Sequence, residues 1–312
     1  MYASFQNNVL FIPKQCTLHS KTMYASFQNN VLFILVPTLV VVASQLLLIH
    51  RVSSLKMTNA YLDHKCSANQ GKYKPGSNYE KIFDSGIQEL SNNTKASRGG
   101  YVYMDYTDLD EIRFEPERVY FTFQCRGDIY GPQCRSCFAT ARSELIKRCP
   151  RDKGAIIWYE HCLLQFSSIS TAGRINYDDN VCYNTARARP NAKSHTGDSV
   201  LEFLTLLDNL TSIAVTKRSK FFKNVDQPAL FAAGEKTFGN KKMYVMVQCT
   251  RDLNAKACEE CVVYNIKHFK DCYEKKPVGL KSGARVLGRS CNFRFERYPF
   301  VNPKTSSIYL KF

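Results

Sequence analysis

CRGDIYGPQCRSC, residues 125–137, and CTRDLNAKACEEC, residues 249–261, carry one cysteine spacing twice, 124 residues apart. In each stretch eight residues separate the first cysteine from the second, and two separate the second from the third. Three spacings seldom coincide by chance, so the pair marks an internal duplication. The repeat extends upstream. Ser77 and Glu80 form an S-x-x-E capping box, followed at helical spacing by Tyr79, Ile82, Phe83, Ile87 and Leu90. Ser199 and Glu202 form the same box ahead of Val200, Phe203, Leu204, Leu207 and Leu210.

Between each box and the cysteines lies an alternating segment. Val119, Phe121 and Phe123 share one face and lead into Cys125. In the second copy Tyr244, Met246 and Gln248 alternate with Val245, Val247 and Cys249. This period of two predicts a strand. A second helix is expected to carry Cys134, Cys137, Phe138, Ala141, Leu145 and Cys149 along one stripe. Two short strands follow in each copy, over 155–160 and 163–167, then over 284–289 and 292–297. The order helix, strand, helix, strand, strand predicts an α+β domain, with helices covering one face of an antiparallel sheet.

Such cysteine density belongs to an oxidising compartment, and the N-terminus agrees. An apolar run from Val31 to Ile49 precedes His50-Arg51-Val52-Ser53-Ser54, where Val52 and Ser54 suit signal cleavage, so the mature chain is expected to begin near Leu55. The run is also long enough to span a bilayer, which makes an uncleaved anchor the alternative. Residues 1–12 recur unchanged at 23–34, so Met23 is expected to be the working initiator. Starting there removes Cys16 from the 13 cysteines and leaves two sets of six. The expected organisation is a leader over 1–54, a first domain over 55–167, a linker over 168–181, a second domain over 182–300 and a tail over 301–312. No second long apolar run and no kinase signature follow, so no stable membrane anchor is expected after signal cleavage.

The net charge is +16, and residues 1–54 contribute only Lys14, Lys21 and Arg51 to it, leaving +13 on the mature part. A basic exported protein is drawn to acidic partners such as anionic wall polymers, lipid headgroups or acidic proteins. Nucleic acid is not expected, because no motif for it is present.

Copy one holds Cys66, Cys125, Cys134, Cys137, Cys149 and Cys162, and copy two holds Cys182, Cys249, Cys258, Cys261, Cys272 and Cys291. Six cysteines allow fifteen pairings, and spacing alone does not choose among them. Cys134 and Cys137 lie one helical turn apart and are expected to reach outward to two other elements.

The doubled C-x8-C-x2-C core, the phrase Ala155-Ile156-Ile157-Trp158-Tyr159, and the stretch Arg285-Val286-Leu287 with Ser290-Cys291-Asn292-Phe293-Arg294-Phe295-Glu296 resemble the plant cysteine-rich repeat secretory proteins. Their unit is the ginkbilobin-2-homologous domain, and the resemblance covers essentially all of the mature chain. It implies two tandem domains, each with two helices packed on a five-stranded antiparallel sheet. It also implies the bridges Cys66–Cys149, Cys125–Cys134 and Cys137–Cys162, then Cys182–Cys272, Cys249–Cys258 and Cys261–Cys291. Some members bind mannose and act against fungi, through an Asn after the first cysteine, an Arg six residues before the last and a Glu five residues after it. In copy two Arg285 and Glu296 hold the last two places, while Tyr183 holds the first with Asn184 one residue late. In copy one Ser67, Ile156 and Ser167 stand there, so that site is lost. Read from the residues alone, Arg285 and Glu296 are equally a structural pair between adjacent strands.

Other chemistry finds little support. Cys134-x-x-Cys137 and Cys258-x-x-Cys261 could be zinc half-sites or redox pairs, but they fall in different repeats and lack a βαβ context. No G-x-S-x-G, H-E-x-x-H or phosphate-cradling loop is present, so neither catalysis, nor a metal, nor a cofactor is expected. His161 beside Cys162 reads as packing, and Trp158 reads as core rather than a sugar platform. Asn92-Asn93-Thr94 and Asn209-Leu210-Thr211 are glycosylation acceptors. The sequence thus predicts a secreted, non-catalytic apoplastic binding protein with a defence role. The expected ligand is carbohydrate, and the alternative is a protein that binds other cell-surface proteins such as receptor ectodomains.

Overall fold

Strand β4, Gly154–Tyr159, is buried at all six positions. An antiparallel strand with one wet face would alternate, so both faces of this sheet are covered. The computed structural model describes residues 58–92, 99–107, 117–178, 180–184, 197–220, 227–238, 241–274 and 283–312. The leader with its apolar run over 31–49 lies outside the described residues. Among those described, no helix is long and apolar enough to cross a membrane.

The first repeat runs β1 (Tyr61–Cys66), α1 (Asn78–Asn92), β2 (Tyr101–Thr107), β3 (Arg118–Cys125), α2 (Gly131–Arg148), β4 and β5 (Cys162–Ser167). The second runs β6 (Val181–Asn184), α3 (Gly197–Thr216), β7 (Phe231–Phe238), β8 (Lys241–Cys249), α4 (Ala255–Glu274), β9 (Gly283–Leu287) and β10 (Cys291–Glu296). The first sheet has the order β1-β4-β5-β3-β2, and the second repeats it as β6-β9-β10-β8-β7. The protein is thus α+β, two helices on an antiparallel sheet in each repeat. The second sheet gains a sixth strand, β11 (Tyr309–Lys311), which pairs parallel with β7. It covers an edge that would otherwise present unpaired backbone groups.

Local chemistry sets the helix starts. In α1 the Glu80 N–H reaches Ser77 Oγ at 3.4 Å, while the Glu80 carboxylate accepts from the Gly76 N–H at 2.6 Å. Helix α3 begins at Gly197, two residues before the Ser199 that the pattern marks as its cap. Helix α2 opens with a proline in its first turn, where the missing N–H costs nothing.

One core lies beneath each helical layer. In the first repeat Tyr79, Ile82, Phe83, Ile87 and Leu90 of α1 meet Val119, Phe121 and Phe123 of β3. In the second, Phe203, Leu207 and Leu210 of α3 meet Val245, Val247 and Phe293. A third cluster differs in kind. Ile156, Trp158 and Leu163 of the first repeat pack with Leu287 of the second. It lies on the faces that the helices leave free, so the two sheets cover one another.

Five bridges lock these layers: Cys66–Cys149, Cys125–Cys134, Cys137–Cys162, Cys249–Cys258 and Cys261–Cys291. Cys182 is also disulfide-bonded, and the side chain of Cys272 lies outside the described residues. Cys134 and Cys137 reach β3 and β5 respectively, and Cys258 and Cys261 do the same in the second sheet. Neither C-x-x-C pair is therefore a dithiol or a zinc half-site.

Candidate functional site: the buried seam between the repeats

The inner sheet faces meet through groups that the duplication places in register. Gln124 donates through Nε2 to the Cys249 carbonyl at 2.8 Å, and Gln248 donates to the Cys125 carbonyl at 2.9 Å. Gln124 and Gln248 hold the same place in the two repeats, so each copy satisfies the other. Gln124 Oε1 also accepts from the Arg251 N–H at 3.0 Å. Trp158 donates from its indole to the Gly288 carbonyl at 3.2 Å, and Arg289 reaches Ser67 Oγ at 3.0 Å. Gly127 lies directly beneath the Phe231 ring; a Cβ there would stand 2.3 Å from Phe231 Cγ. Only glycine permits that approach.

Charge sits at the centre of this contact. Glu160, just past β4, accepts from three arginines. Arg126 Nη1 lies at 2.7 Å and Arg285 Nη1 at 2.9 Å, and Arg294 Nη1 makes a short third contact. Arg126 also binds Asp128, and Arg294 Nε binds Glu296 at 2.8 Å. Three cations thus meet three carboxylates. The side chains of Arg126, Arg285 and Arg294 are 5%, 9% and 8% exposed, and that of Glu160 is 12% exposed. Burial alone would raise the Glu160 carboxyl, but Arg285, Arg294 and Arg126 together hold it below the usual carboxylate range. Burial lowers Arg285 from the ordinary guanidinium value against the pull of Glu160. For Arg126 burial acts in the same direction, yet Asp128 and Glu160 outweigh it and raise it. His161 is buried beside this cluster. Burial, then Arg126, lowers its imidazole, and its Nε2 has no hydrogen-bond partner among the described residues.

The C-terminal segment straps the seam. The Phe300 carbonyl accepts from Arg126 Nη2 at 2.9 Å, and the Asn302 N–H donates to Asp128 at 2.9 Å. The Ser307 N–H donates to the Gly127 carbonyl at 2.8 Å before the chain returns to pair with β7. Residues 301–312, the expected C-terminal tail, are part of this packing.

The sugar-type residues fall inside this seam. Arg285 faces Arg294 across β9 and β10, and its guanidinium goes to Glu160 of the other repeat. Glu296 is 1% exposed and accepts from Arg294. The backbone of Tyr183 is the β6 partner of Arg285, and that of Asn184 is the partner of Ala284; the side chain of Asn184 lies outside the described residues. The cleft beside them, lined by Trp158, Glu160, Arg285, Asn292 and Arg294, has a volume of about 50 Å³. That is room for only a few waters.

Sequence reasoning overlooked Glu160, Arg126 and Arg294. A signal was present. Glu160 ends an otherwise apolar strand, and Arg294 stands between Phe293 and Phe295. Matched glutamines ahead of the first spaced cysteine in each copy also fitted no helix-facing role. Of the glycosylation acceptors, Asn92 and Asn209 are exposed, while Thr211 is buried and bonds the Leu207 carbonyl. Among the described residues one group could approach a metal, His64 with Cys66 and Cys149, and its sulfurs are joined to each other.

A family model described as salt stress response/antifungal matches residues 65–169 and again 181–298. The chain belongs to this family. It is 71% identical over 280 residues to putative cysteine-rich repeat secretory protein 14 of Arabidopsis thaliana, covering 89% of this chain and 96% of that one. Cysteine-rich repeat secretory protein 18 of the same plant is 53% identical over 285 residues, covering 89% and 96%. Two solved tandem ectodomains of A. thaliana cysteine-rich receptor-like proteins share the fold. That of PDLP5 has a TM-score of 0.53 at 20% identity, covering 77% of this chain and 100% of the ectodomain. That of PDLP8 has a TM-score of 0.54 at 18% identity, covering 78% and 100%. The cysteine-rich repeat secretory protein described here is thus a secreted, disulfide-bonded tandem-domain protein of plant type, and no catalytic family is indicated for it.

Proposed function

We propose that this cysteine-rich repeat secretory protein is a non-catalytic apoplastic ligand that presents its two repeats as one rigid body to another cell-surface protein. The observation that carries this reading is the occupation of Arg285 and Glu296. Both are sequestered in an inter-repeat ion network, and charged groups already bonded and dry are not free to read sugar hydroxyls. A fixed pair of repeats also binds at lower ordering cost than two loosely tethered ones. The likeness to tandem ectodomains of receptor-like proteins supports a partner of that build, and the basic surface favours an acidic one.

The test sets the secreted, oxidised protein against a panel of plant cell-surface ectodomains and a mannoside array in parallel. The expected result is saturable binding to an ectodomain, unaffected by excess free mannose. Binding to mannosides with every ectodomain silent would restore the carbohydrate reading, and its loss in Arg285→Ala would point to Asn184, Arg285 and Glu296.

A further inference from the structure

Among the sulfurs of the five described bridges, that of Cys66 belongs to an exposed residue, and every other belongs to a buried one. Its counterpart in the second repeat, Cys182, is half-buried and packed against the core. The Cys66–Cys149 bridge also has a neighbour that the others lack. A ring nitrogen of His64 and both sulfurs lie within 4.8 Å of one another. The Tyr61 hydroxyl holds that ring through Nδ1 at 2.6 Å, and the Arg148 guanidinium lies 4.2 Å from the Tyr61 ring centre. Two residues before Cys182 the second repeat has Asn180, so the imidazole is peculiar to the first copy.

We propose that Cys66 is a site of thiol–disulfide exchange with a small-molecule thiol of the glutathione or cysteine class, with His64 as proton donor to the departing sulfur. The small-molecule thiolate attacks the Sγ of Cys66, the exposed residue of the pair, in line with the bridge. A new S–S bond forms to Cys66, and the Cys66–Cys149 bond breaks. The electron pair leaves on Cys149 Sγ, which takes a proton from the His64 imidazolium and becomes a buried thiol. A second thiol can then take the adduct off as its own disulfide, so two thiols are oxidised as the bridge is reduced.

The proton is needed because of where Cys149 sits. It caps the C-terminus of α2, the negative end of the helix dipole, and is 2% exposed. A bare thiolate there would have neither water nor a favourable field. A leaving sulfur of high basicity leaves slowly unless it is protonated as it goes. Cys66 is the exposed residue of the pair and Cys149 the buried one, which directs the adduct to Cys66. The consequence is local. Strand β1 keeps its pairing with β4 but loses its covalent tie to α2, beside the Ser67 that holds Arg289 of the other repeat.

The test treats the folded, oxidised protein with reduced glutathione in the absence of denaturant, quenches with acid, alkylates and maps the cysteines by mass spectrometry. The expected first product carries glutathione on Cys66 and the alkyl group on Cys149, ahead of every other cysteine. His64→Asn copies the residue that the second repeat already tolerates and keeps the wild-type circular dichroism. It slows the Cys66 adduct on the order of 10-fold at about pH 6. The gap narrows as the pH is raised to about 8.5, as it does for any general acid. A merely structural role for His64 would give a pH-independent difference. Simultaneous loss of several bridges, first modification elsewhere, or equal rates for wild type and His64→Asn at the lower pH would each overturn the proposal.

Discussion

Glu160→Gln removes one negative charge from the middle of the seam and changes almost no volume. The carboxylate serves three guanidinium groups, with Arg126 at 2.7 Å and Arg285 at 2.9 Å. Arg126 keeps Asp128, and Arg294 keeps Glu296. Arg285 loses its direct ion pair to Glu160 and is left buried with only the weaker pull of Glu296. Breaking a buried pair in this way costs roughly 3–5 kcal/mol, and the surviving partners of the other two arginines place the loss near the lower end, about 3 kcal/mol. For a unit of this size each kcal/mol moves the thermal midpoint by about 2–4 °C, so a drop of roughly 6–12 °C is expected. The assay is thermal unfolding of the oxidised protein at neutral pH followed by near-ultraviolet circular dichroism. The matched control is Glu260→Gln, whose 3.8 Å surface pair with Lys256 in α4 is worth no more than about 0.5 kcal/mol. If the two variants melt together, the charge cluster does not hold the repeats and the reasoning fails.

Gly127→Ala should drive a methyl into the Phe231 ring and cost about 1–3 kcal/mol by overpacking, read as a lower midpoint in denaturant. Acidification should weaken the protein in two stages. His161 is depressed in the fold, so its contribution is complete above the unfolded value of about 6.5 and falls away as pH drops below it. Glu160 is also depressed, so its contribution is complete above about pH 4.3 and is lost as pH falls through the folded value. Stability measured against pH should therefore decline first below about 6.5 and more steeply below about 4.3, with Glu160→Gln flattening only the lower limb. Truncation after Tyr298 removes Phe300 and Val301 and uncovers Phe231 and Met246 of the same cluster. Loss of the two buried side chains should cost at least about 3 kcal/mol and be visible as dye binding to exposed apolar surface.

The helix-facing half of the fold was open to reading. Alternation in β3 and β8 and the 3.6-residue stripes of α1 and α2 record burial against one partner, a local periodic signal. Strands β1, β2, β6 and β7 were not read from the residues; β1, β2 and β6 are sheet edges, and none of the four alternates cleanly. The tail strand was missed because three residues carry no period. The seam was illegible for a different reason. Its polar residues occur where a sheet would ordinarily meet water, so Gln124, Gln248 and Arg294 read as solvated positions. Only the other repeat makes them internal. The same cause sets the reading of Arg285 and Glu296 apart. Sequence places both on neighbouring strands, and the decisive partner of Arg285, Glu160, lies 125 residues away in the other copy.

The central claim is that the two repeats move as one body joined through Glu160 and the reciprocal glutamines. Backbone nitrogen-15 relaxation on the deuterated, oxidised protein tests it most directly. The account predicts that amides of β3–β5 and of β8–β10 report the same rotational correlation time and one common diffusion tensor. Two separate, shorter correlation times, one for each repeat, would contradict it.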